Sequence, residues 1–502
     1  MPDKIILEYE NQNIKEKVIF ERSGLLLDLS VVPDDVYKEV INDAKKKNNF
    51  IKNFIDDSLV EIDYKAFKKR YKNKLSDIIL IDKYTHKNFE YRIQNQCGNY
   101  EIIILLTNDI HIEDIDDFIG VKGFIDDRYV ENEYILVQIY PGNLKKIKKK
   151  FDRENVSYEE NFQTIKYVYP RNIANINSYI EDKELPLSPA YEFINYDTDR
   201  QSMLRNEDII IGLMDNGVQG KHPDLAEIFD EVKSYNFFKN QTDQTPNNRE
   251  KHGTHCAGIL AGFAKNKKGV VGTGAGSTLV SYKIAKGEGD NYNDSQISIF
   301  YIIQAFHKAL ADQCDVINCS WSLPYKSTFL HKVIIKTIKE GREGKGLPVV
   351  FAAGNAGKEI SFPAIIPEVI VVSASDLNKR PFDKEYSDDG WSSNFGDNIL
   401  VGAPGIKLYT TDLVDGLGET PIIINEDEYP NHSLFKGTSA AAPIIAGFIA
   451  KILINHPDLE LDDIKNIITN SVIPYESNTY DDRNFGSGII NYNKLKIKIN
   501  NL

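Results

Sequence analysis

Six short apolar runs between residues 206 and 498 constrain the fold of this chain more than any other feature. They alternate with segments of helical pattern and read DIIIGLMD, TLVSYKI, CDVINCSW, LPVVFAAGN, VIVVSAS and NILVGAPG. Nearly continuous apolar runs of this length are typical of strands that are buried on both faces. Such strands form parallel sheets covered by helices, so the sequence predicts a doubly wound α/β domain.

Two smaller blocks precede this domain. Residues 1–92 alternate apolar runs with lysine-rich helical stretches, which predicts a small α/β domain without recognisable chemistry. Residues 97–177 have the order β-α-β-β-α-β, with NFQTIKYVYP as the last strand, and this order is typical of a ferredoxin-like α+β sandwich. A polar linker over about 170–205 leads into the third domain, which we assign to residues 178–502.

Length, charge and composition exclude several classes of protein. A chain of 502 residues is too long for one ordinary core, which predicts two or three domains. The net charge of −14 argues against nucleic acid as the main partner. No run approaches 18 apolar residues, so we expect no membrane span.

The first residues and the cysteines bear on the compartment. The start MPDKIILEYENQNIKEK lacks the pattern of a signal peptide, and four cysteines do not make a disulfide framework. We therefore expect free thiols and a cytoplasmic location, with export by another route or association with spores as alternatives.

Four residues with catalytic chemistry lie at predicted strand ends or helix starts. Asp215 ends the strand IIIGLMD, and His252 heads the small-residue helix HGTHCAGILAG. Ser439 begins another helix in KGTSAAAPIIAGFIA, and Asn355 follows the strand VVFAAGN. The carboxyl ends of parallel strands are where sites form in open α/β sheets.

These residue types together suit nucleophilic catalysis. A serine hydroxyl needs a base to remove its proton, a histidine serves as that base, and a carboxylate fixes the histidine tautomer. A side-chain amide and a backbone N–H supply donors for an oxyanion. Taken singly, each residue has an ordinary structural role: Asp215 in a turn, His252 on a surface, Ser439 as a helix cap. The combination in this order favours catalysis.

The motifs D-N-G, H-G-T-H-C-A-G, A-A-G-N and G-T-S-A-A-A-P resemble those of the subtilase family over about residues 206–498. H-G-T-H-C-A-G is similar to the proteinase K branch. The order Asp, His, Ser along the chain is also that of subtilisin. The resemblance implies a subtilisin-like serine endopeptidase with Asp215, His252 and Ser439 as its triad and Asn355 in its oxyanion hole.

The resemblance also implies where a substrate binds. Subtilases hold an extended peptide between two protein strands, and Ser361 occupies a pocket position where the family usually has glycine. The implied substrate-binding residues are Ser320, Trp321, Ser322, Gly287, Glu288, Gly289, Ala352, Ala353, Gly354 and Ser361. The acidic residues Glu288, Asp290 and Asp294 either favour basic residues upstream of the cut or form a solvated loop.

Three further positions lie within the motif segments, namely Cys256, His255 and Asp224. Cys256 is expected to be a small core residue, not a catalyst, yet close enough to His252 for mercurials to inhibit. His255 is expected to pack in the interior. Asp224 matches a calcium ligand of the family, but three lysines in FAKNKKGV would repel the cation, so Asp224 either binds a structural calcium or caps a helix over DLAEIF. No cofactor is expected for catalysis.

The block 97–177 resembles subtilase propeptides, which fold against the protease as intramolecular inhibitors. The resemblance predicts a zymogen that cleaves itself near Asn177–Ser178 and acts as a regulated processing enzyme on protein or peptide substrates. The alternative is a non-catalytic scaffold, as among the pseudoenzymes of clostridial spore germination. Such relatives lose the triad, whereas this chain retains it.

Overall fold

The structure is a computed structural model, and it describes part of the chain. The described residues are 4–11, 14–28, 51–54, 59–62, 80–86, 89–95, 100–105, 123–131, 134–139, 148, 151, 157–160, 163–165, 185–196, 205–247, 250–263, 269–287, 295–383, 390–414, 418, 422–424, 427–429, 431–474 and 482–502. The chain divides into two compact units, one of Met1–Tyr169 with Asn291–Phe300 and one of Pro170–Asp290 with Tyr301–Leu502. The three predicted domain boundaries stay predictions.

The larger unit is built on a nine-stranded sheet. Its strands and those of two small ribbons are β12 (Asn206–Asp215), β13 (Tyr235–Asn236), β14 (Ser277–Lys283), β17 (Val316–Cys319), β18 (Val349–Ala352), β19 (Ile370–Ser375), β20 (Ile399–Pro404), β21 (Leu408–Thr411), β22 (Ile422–Ile424), β23 (Asp427–Tyr429), β24 (His432–Phe435), β25 (Val472–Ile473) and β26 (Ile489–Ile490), with a further strand β15 (Ala285–Gly287). The sheet order is β13-β14-β12-β17-β18-β19-β20-β26-β25. The described pairings within it are parallel except β25 with β26.

This architecture confirms the predicted α/β fold with a mostly parallel sheet. Each of the six apolar runs became a strand of the sheet, and the residues of β14, β17, β18 and β19 are buried throughout. Strands that are covered on both faces cannot alternate polar and apolar side chains. For this reason the runs are read correctly from sequence alone.

Helices cover the sheet. The described ones are α1 (Pro189–Phe193), α2 (His252–Ala261), α3 (Ile299–Ala311), α4 (Thr328–Glu340), α5 (Thr438–Asn455), α6 (Leu461–Thr469), α7 (Asp482–Phe485) and α8 (Tyr492–Asn500), with a 3₁₀ turn at Arg342–Gly344. Helix α5 packs across β12 and β17 to β20 and also contacts α2. Among the described helices α5 has the length and hydropathy of a membrane span, but 83% of its apolar window is buried inside the domain.

Part of the predicted linker belongs to the core instead. Within 185–196, Tyr191 and Tyr196 are 3% and 2% exposed. Their hydroxyls donate to the carbonyls of Ile259, at 3.3 Å, and Gly272, at 2.9 Å. Two large aromatic rings with satisfied hydroxyls make this segment a packed element, so the polar-linker interpretation is wrong for 185–196.

The smaller unit contains two groups of strands. They are β1 (Lys4–Asn11), β2 (Ile14–Asp28), β3 (Ile51–Phe54), β4 (Leu59–Ile62), β5 (Leu80–His86), β6 (Phe89–Asn95), β7 (Tyr100–Leu105), β8 (Gly123–Glu131), β9 (Tyr134–Ile139), β10 (Tyr158–Glu160), β11 (Gln163–Ile165) and β16 (Ser295–Ser298). One sheet has the order β16-β11-β6-β5-β2-β4-β3, with β1 beside β2, and the other has the order β10-β7-β9-β8.

The strands of the four-stranded sheet belong to the block 97–177 that we predict to be ferredoxin-like. Its strands pair antiparallel throughout. The fourth strand is Tyr158–Glu160, whereas Gln163–Ile165 of the predicted last strand pairs with β6 and β16 in the other sheet. Tyr158–Glu160 is the fourth strand of this sheet because it pairs with β7. The apolar content of the local sequence does not reveal that pairing. Within the predicted helices of the two N-terminal blocks the structure describes only Lys148 and Phe151, which are helical, so these domains remain predictions.

Candidate active site

Asp215 is the last residue of β12, at the carboxyl edge of the parallel sheet. Its side chain is buried, and its Oδ1 accepts the backbone N–H of Asn216 at 2.7 Å. The Nδ1 atom of His252 lies 3.0 Å from Oδ1 and 2.9 Å from Oδ2 of this carboxylate. An ionised carboxylate only accepts hydrogen bonds, so Nδ1 carries a proton, and in the neutral tautomer of the ring the lone pair is then on Nε2.

His252 begins helix α2, and the turn after Asp215 fixes this helix start. The Asn216 Oδ1 atom accepts the N–H of Gly253 at 2.9 Å, which satisfies one of the unpaired donors at the helix N-terminus. A Cβ atom on Gly253 would lie 2.2 Å from the carbonyl oxygen of Gly217. Glycine after the histidine therefore lets the helix approach the aspartate turn closely enough for the Asp215–His252 contact.

Ser439 is the second residue of helix α5 and is buried, with 5% of its surface exposed. Its hydroxyl donates to the Ser320 carbonyl at 3.2 Å, and the Ser320 hydroxyl donates back to the Ser439 carbonyl at 3.1 Å. Ser320 directly follows β17, which pairs with β12. The start of α5 is thereby tied to the same sheet edge that carries Asp215.

Asn355 follows β18 and is oriented by the residue before Ser439. Its Oδ1 atom accepts the backbone N–H of Thr438 at 2.9 Å and the Thr438 hydroxyl at 2.8 Å. Because the oxygen end of the amide is occupied, the Nδ2 end faces the other way as a donor. Gly437, at φ +106°, permits this arrangement, since a Cβ there would lie 3.1 Å from Nδ2.

Cys256 lies one helical turn after His252. Its Sγ is 3.8 Å from His252 Nδ1 and 3.5 Å from the carbonyl oxygen of Ser439. Burial raises the pKa of this thiol well above its usual value, and the Asp215 carboxylate raises it further. A thiol that stays protonated is a poor nucleophile, so Cys256 occupies the site as a small buried group. The other described cysteines, Cys314 and Cys319, are also free and buried.

The implied substrate-binding residues differ in where they lie and in how exposed they are. Ser320 and Ala352 lie at the neighbouring carboxyl ends of β17 and β18, close to the triad, and Ser322 is exposed there. Trp321 instead turns its indole into the core, where its Nε1–H donates to the Met214 carbonyl at 3.0 Å. Only its backbone is therefore available to a substrate.

The remaining substrate-binding residues implied by the resemblance lie on several segments. Ala353 is buried, Gly354 and Ser361 are half-buried, and Gly287 ends β15. Outside the described residues are Glu288, Gly289, Asp290, Asp294 and the predicted cleavage site Asn177–Ser178.

Asp224 lies in a buried cluster with two histidines, not at a helix start. The described chain over DLAEIF forms turns, so the helix-cap interpretation is wrong. The Asp224 Oδ2 atom accepts the N–H of Val270 at 2.8 Å and lies 2.9 Å from His432 Nε2. His222 accepts the N–H of Asp224 through Nδ1 and bonds to the Asn431 carbonyl through Nε2, at 3.0 Å and 2.9 Å.

This cluster does not fit calcium. Calcium takes six to eight oxygen ligands, whereas the described side chains at the cluster supply one carboxylate and two imidazoles. Both nitrogens of His222 are engaged by the backbone, and the Asp224 carboxylate is already paired. Imidazole is a ligand for transition metals, but His222 has no free lone pair to offer one.

Four residues that our sequence analysis did not single out contribute to the site. Asn216 and Thr438 stand beside motif residues in D-N-G and G-T-S, so their positions were a usable signal. Asp412 and Ser433 contact His255, with Asp412 Oδ1 and Ser433 Oγ each 3.1 Å from His255 Nε2. No local pattern marks these two residues.

Comparisons with known proteins identify chains that are similar to this one. The profile of the Subtilase family, Peptidase_S8, matches residues 206–488, more than half of the chain. Subtilisin DY of Bacillus licheniformis is 28% identical over 294 residues, which is 57% of this chain and 90% of that protein. Furin-like protease 2 of Drosophila melanogaster is 27% identical over 52% of this chain but 15% of its own length.

A solved structure shows the same fold. The crystal structure of fervidolysin from Fervidobacterium pennivorans, described as a keratinolytic enzyme related to subtilisin, superposes with a TM-score of 0.60. The likeness covers 82% of this chain and 62% of fervidolysin, at 20% sequence identity.

Proposed function

Because the chain belongs to the subtilase family and is a subtilisin-like serine endopeptidase, we propose that Ser439 is its nucleophile, His252 its general base and Asp215 the carboxylate that orients the base. The observation that carries this proposal is the contact of both Asp215 oxygens with His252 Nδ1, at 2.9 and 3.0 Å. In the neutral imidazole that contact selects the tautomer with the proton on Nδ1, so that Nε2 carries the lone pair that a general base needs.

The reaction begins with attack of Ser439 Oγ on the carbonyl carbon of the scissile peptide bond. The serine proton passes to His252 Nε2, and Asp215 stabilises the imidazolium that results. The imidazolium then protonates the leaving amine as the C–N bond breaks, which leaves an acyl-enzyme. A water molecule, deprotonated by the same histidine, hydrolyses the ester and restores the serine.

The tetrahedral intermediate carries negative charge on the former carbonyl oxygen. We assign its stabilisation to Asn355 Nδ2 and the backbone N–H of Ser439. This role is supported by the two hydrogen bonds from Thr438 that occupy Asn355 Oδ1 and direct the amide nitrogen away. The donor is held in place before the substrate binds, so little reorganisation accompanies the reaction.

Labelling with a fluorophosphonate probe tests the assignment. The probe reacts with a serine only if a base activates it, so we expect label on Ser439 and none in Ser439→Ala or His252→Ala. A Ser471→Ala variant is the matched control and should label like the wild type, because Ser471 is also a buried serine but its hydroxyl donates to the Ile467 carbonyl. Failure of the processed protein to label would favour the non-catalytic scaffold.

We also propose that residues 97–177 are an inhibitory propeptide and that the enzyme is a zymogen. The proposal is supported by the resemblance to family propeptides and by the antiparallel order β10-β7-β9-β8 in this block. Intact-mass analysis of the wild type beside Ser439→Ala tests it. We expect cleavage near Asn177–Ser178 in the wild type alone; full-length protein in both samples would make the block a permanent subdomain.

The physiological role that we propose is regulated processing of protein or peptide substrates. Profiling with a peptide library tests whether Glu288, Asp290 and Asp294 form an acidic subsite. Enrichment of lysine or arginine upstream of the cut is expected if they do, and a flat profile would overturn that assignment.

The support for a structural calcium comes from the name of a relative. A relative in Nostoc, 29% identical over 52% of this chain, is named calcium-dependent protease. The Asp224 cluster does not supply the oxygen ligands that calcium takes, so we propose no structural calcium at Asp224.

A further inference from the structure

His255 is a buried titratable group that the proposed reaction does not use. It lies three residues after His252 on α2 and is 4% exposed. Its Nε2 lies 3.1 Å from Asp412 Oδ1 and 3.1 Å from Ser433 Oγ. Both partners belong to the β21–β24 ribbon, by which we mean Leu408–Asp412 together with His432–Phe435.

The ribbon also holds the backbone of the helix turn that carries His252. The hydroxyl of Thr410 donates to the carbonyl of His255 at 2.5 Å, and that of Thr411 donates to the carbonyl of Thr254 at 2.6 Å. A Cβ atom on Gly258 would lie 2.4 Å from the Thr410 hydroxyl. The ribbon and the helix are therefore in direct contact, with no space for an intervening side chain.

Phe435, at the end of the ribbon, contacts both histidines. Its ring centroid lies 5.3 Å from that of His252, with the planes at 79°, and 5.0 Å from that of His255. The contact with His252 is edge-to-face and that with His255 is tilted at 59°, and ring contacts of this kind favour particular relative orientations. A shift of the His255 ring would therefore be passed to His252 through Phe435.

The same ribbon leads to the nucleophile. Strand β24 ends at Phe435, four residues before Ser439, and Gly437 N–H donates to the Gly405 carbonyl at 2.8 Å. One element thus holds the helix that carries the base and positions the start of the helix that carries the serine.

We propose that Asp412 and Ser433 are positioning residues for peptide hydrolysis. They hold His255, and through His255 they hold Phe435 and the first turn of α2, so that His252 Nε2 faces Ser439. This inference rests on the proposed function. Its physical basis is that a displacement of about 1 Å in a catalytic group costs up to about 10²-fold in rate.

The test compares two buried Asp–His pairs of the same chemistry. Asp412→Ala removes the acceptor of His255, and Asp224→Ala removes that of His432, 2.9 Å away, which lies at the opposite end of β24 from Phe435 and so outside the proposed route from His255 to His252. We expect both variants to melt earlier. Only Asp412→Ala should lose kcat, by about 10- to 100-fold with KM within about twofold. Asp412→Asn keeps an acceptor oxygen and should recover most of kcat.

A kcat for Asp412→Ala within twofold of wild type would overturn the proposal, as would an equal loss of kcat in Asp224→Ala. If Asp412→Ala does not fold, Ser433→Ala replaces it, with a several-fold loss of kcat expected and an unchanged kcat contradicting the proposal. Fluorophosphonate labelling of the wild type is measured in parallel. Its absence would defeat the proposed function itself, whereas labelling with unchanged variant kinetics would defeat only this inference.

Discussion

At the scale of single residues, the direction of each donor is decided by what the opposite end of the side chain contacts. The carboxylate of Asp215 makes His252 Nδ1 the protonated nitrogen, and Thr438 occupies the oxygen end of Asn355. In each case a neighbour removes one of two possible arrangements. The remaining arrangement is the one that the proposed chemistry requires.

Thr438→Val tests the orientation of Asn355. The substitution keeps the shape but removes the hydroxyl that donates to Asn355 Oδ1 and accepts the Gly354 N–H at 3.0 Å. We expect kcat to fall about 10-fold at constant KM, less than the 10²–10³-fold that loss of the whole amide costs in subtilisin. Steady-state kinetics on a peptide anilide measure this, with Thr469→Val on α6 as the control. A raised KM at constant kcat would contradict it.

The thiol of Cys256 is the second residue with a sharp prediction. An organomercurial bound to Sγ would occupy the space between His252 Nδ1 and the Ser439 carbonyl, at 3.8 and 3.5 Å. We expect the wild type to lose activity and Cys256→Ala to be resistant. Cys314→Ala, which removes another buried thiol, should stay sensitive. Equal sensitivity of Cys256→Ala would refute the steric explanation.

At the scale of elements, the β21–β24 ribbon joins segments that are far apart in sequence. Besides its contacts with α2, its residue His432 pairs with Asp224 in the loop after β12. The His222 ring packs edge-on against His432, with centroids 5.5 Å apart. The His432 imidazole thereby connects the ribbon to the loop that carries Asp224.

Chelation of calcium and replacement of His432 test what stabilises the Asp224 loop. We expect EGTA to leave the melting temperature of wild type and Asp224→Asn equally unchanged or equally shifted, because we propose no calcium at Asp224. Replacement of His432 by alanine should lower the melting temperature, since it leaves a buried carboxylate with one donor fewer. Scanning calorimetry measures both effects. A calcium-dependent stabilisation that disappears in Asp224→Asn would show that calcium binds there.

At the scale of the whole molecule, the parallel sheet gathers the site. Strands β12, β17 and β18 are neighbours, and their carboxyl ends present Asp215, Ser320 and Asn355 at one edge. Helices α2 and α5 pack against each other over that edge and add His252 and Ser439. The core that stabilises the domain and the framework of the site are the same structure.

This core also predicts how stability depends on pH. Burial raises the pKa of Cys314 from 9.0 to about 12, and burial likewise raises the pKa values of Cys319, Tyr196 and Tyr282. These groups keep their protons to higher pH when folded than when unfolded. The stability that they contribute is therefore complete below about pH 9 and is lost as the pH rises toward 12.

Melting temperatures of the Ser439→Ala protein between pH 7 and 11 measure this loss without self-digestion. We expect a decline above pH 9 that is shallower in a Cys314→Ala background, since one of the groups responsible is gone. The slopes are compared and not the absolute values, because the shorter side chain also leaves a cavity. A flat profile to pH 11 would contradict the prediction.

The sequence by itself determined the parallel sheet and the positions of Asp215, His252, Ser439 and Asn355. Strands buried on both faces require continuous apolar runs, and turns at strand ends require fixed local residues, so both leave short-range signals. No such signal marked the burial of residues 185–196 or the strand that completes the four-stranded sheet. The local pattern at Asp224 predicted a helix cap, and that prediction was wrong.

Only the tertiary structure decided the partners of the buried histidines His255 and His432. Asp412 is 157 residues from His255, and His432 is 208 residues from Asp224. Pairs of this kind form because chain crossing brings a carboxylate and an imidazole into one buried space, where each needs a hydrogen-bond partner. The local sequence around each residue does not predict such a long-range contact. The residues proposed to hold His252 in place were therefore found only in the structure.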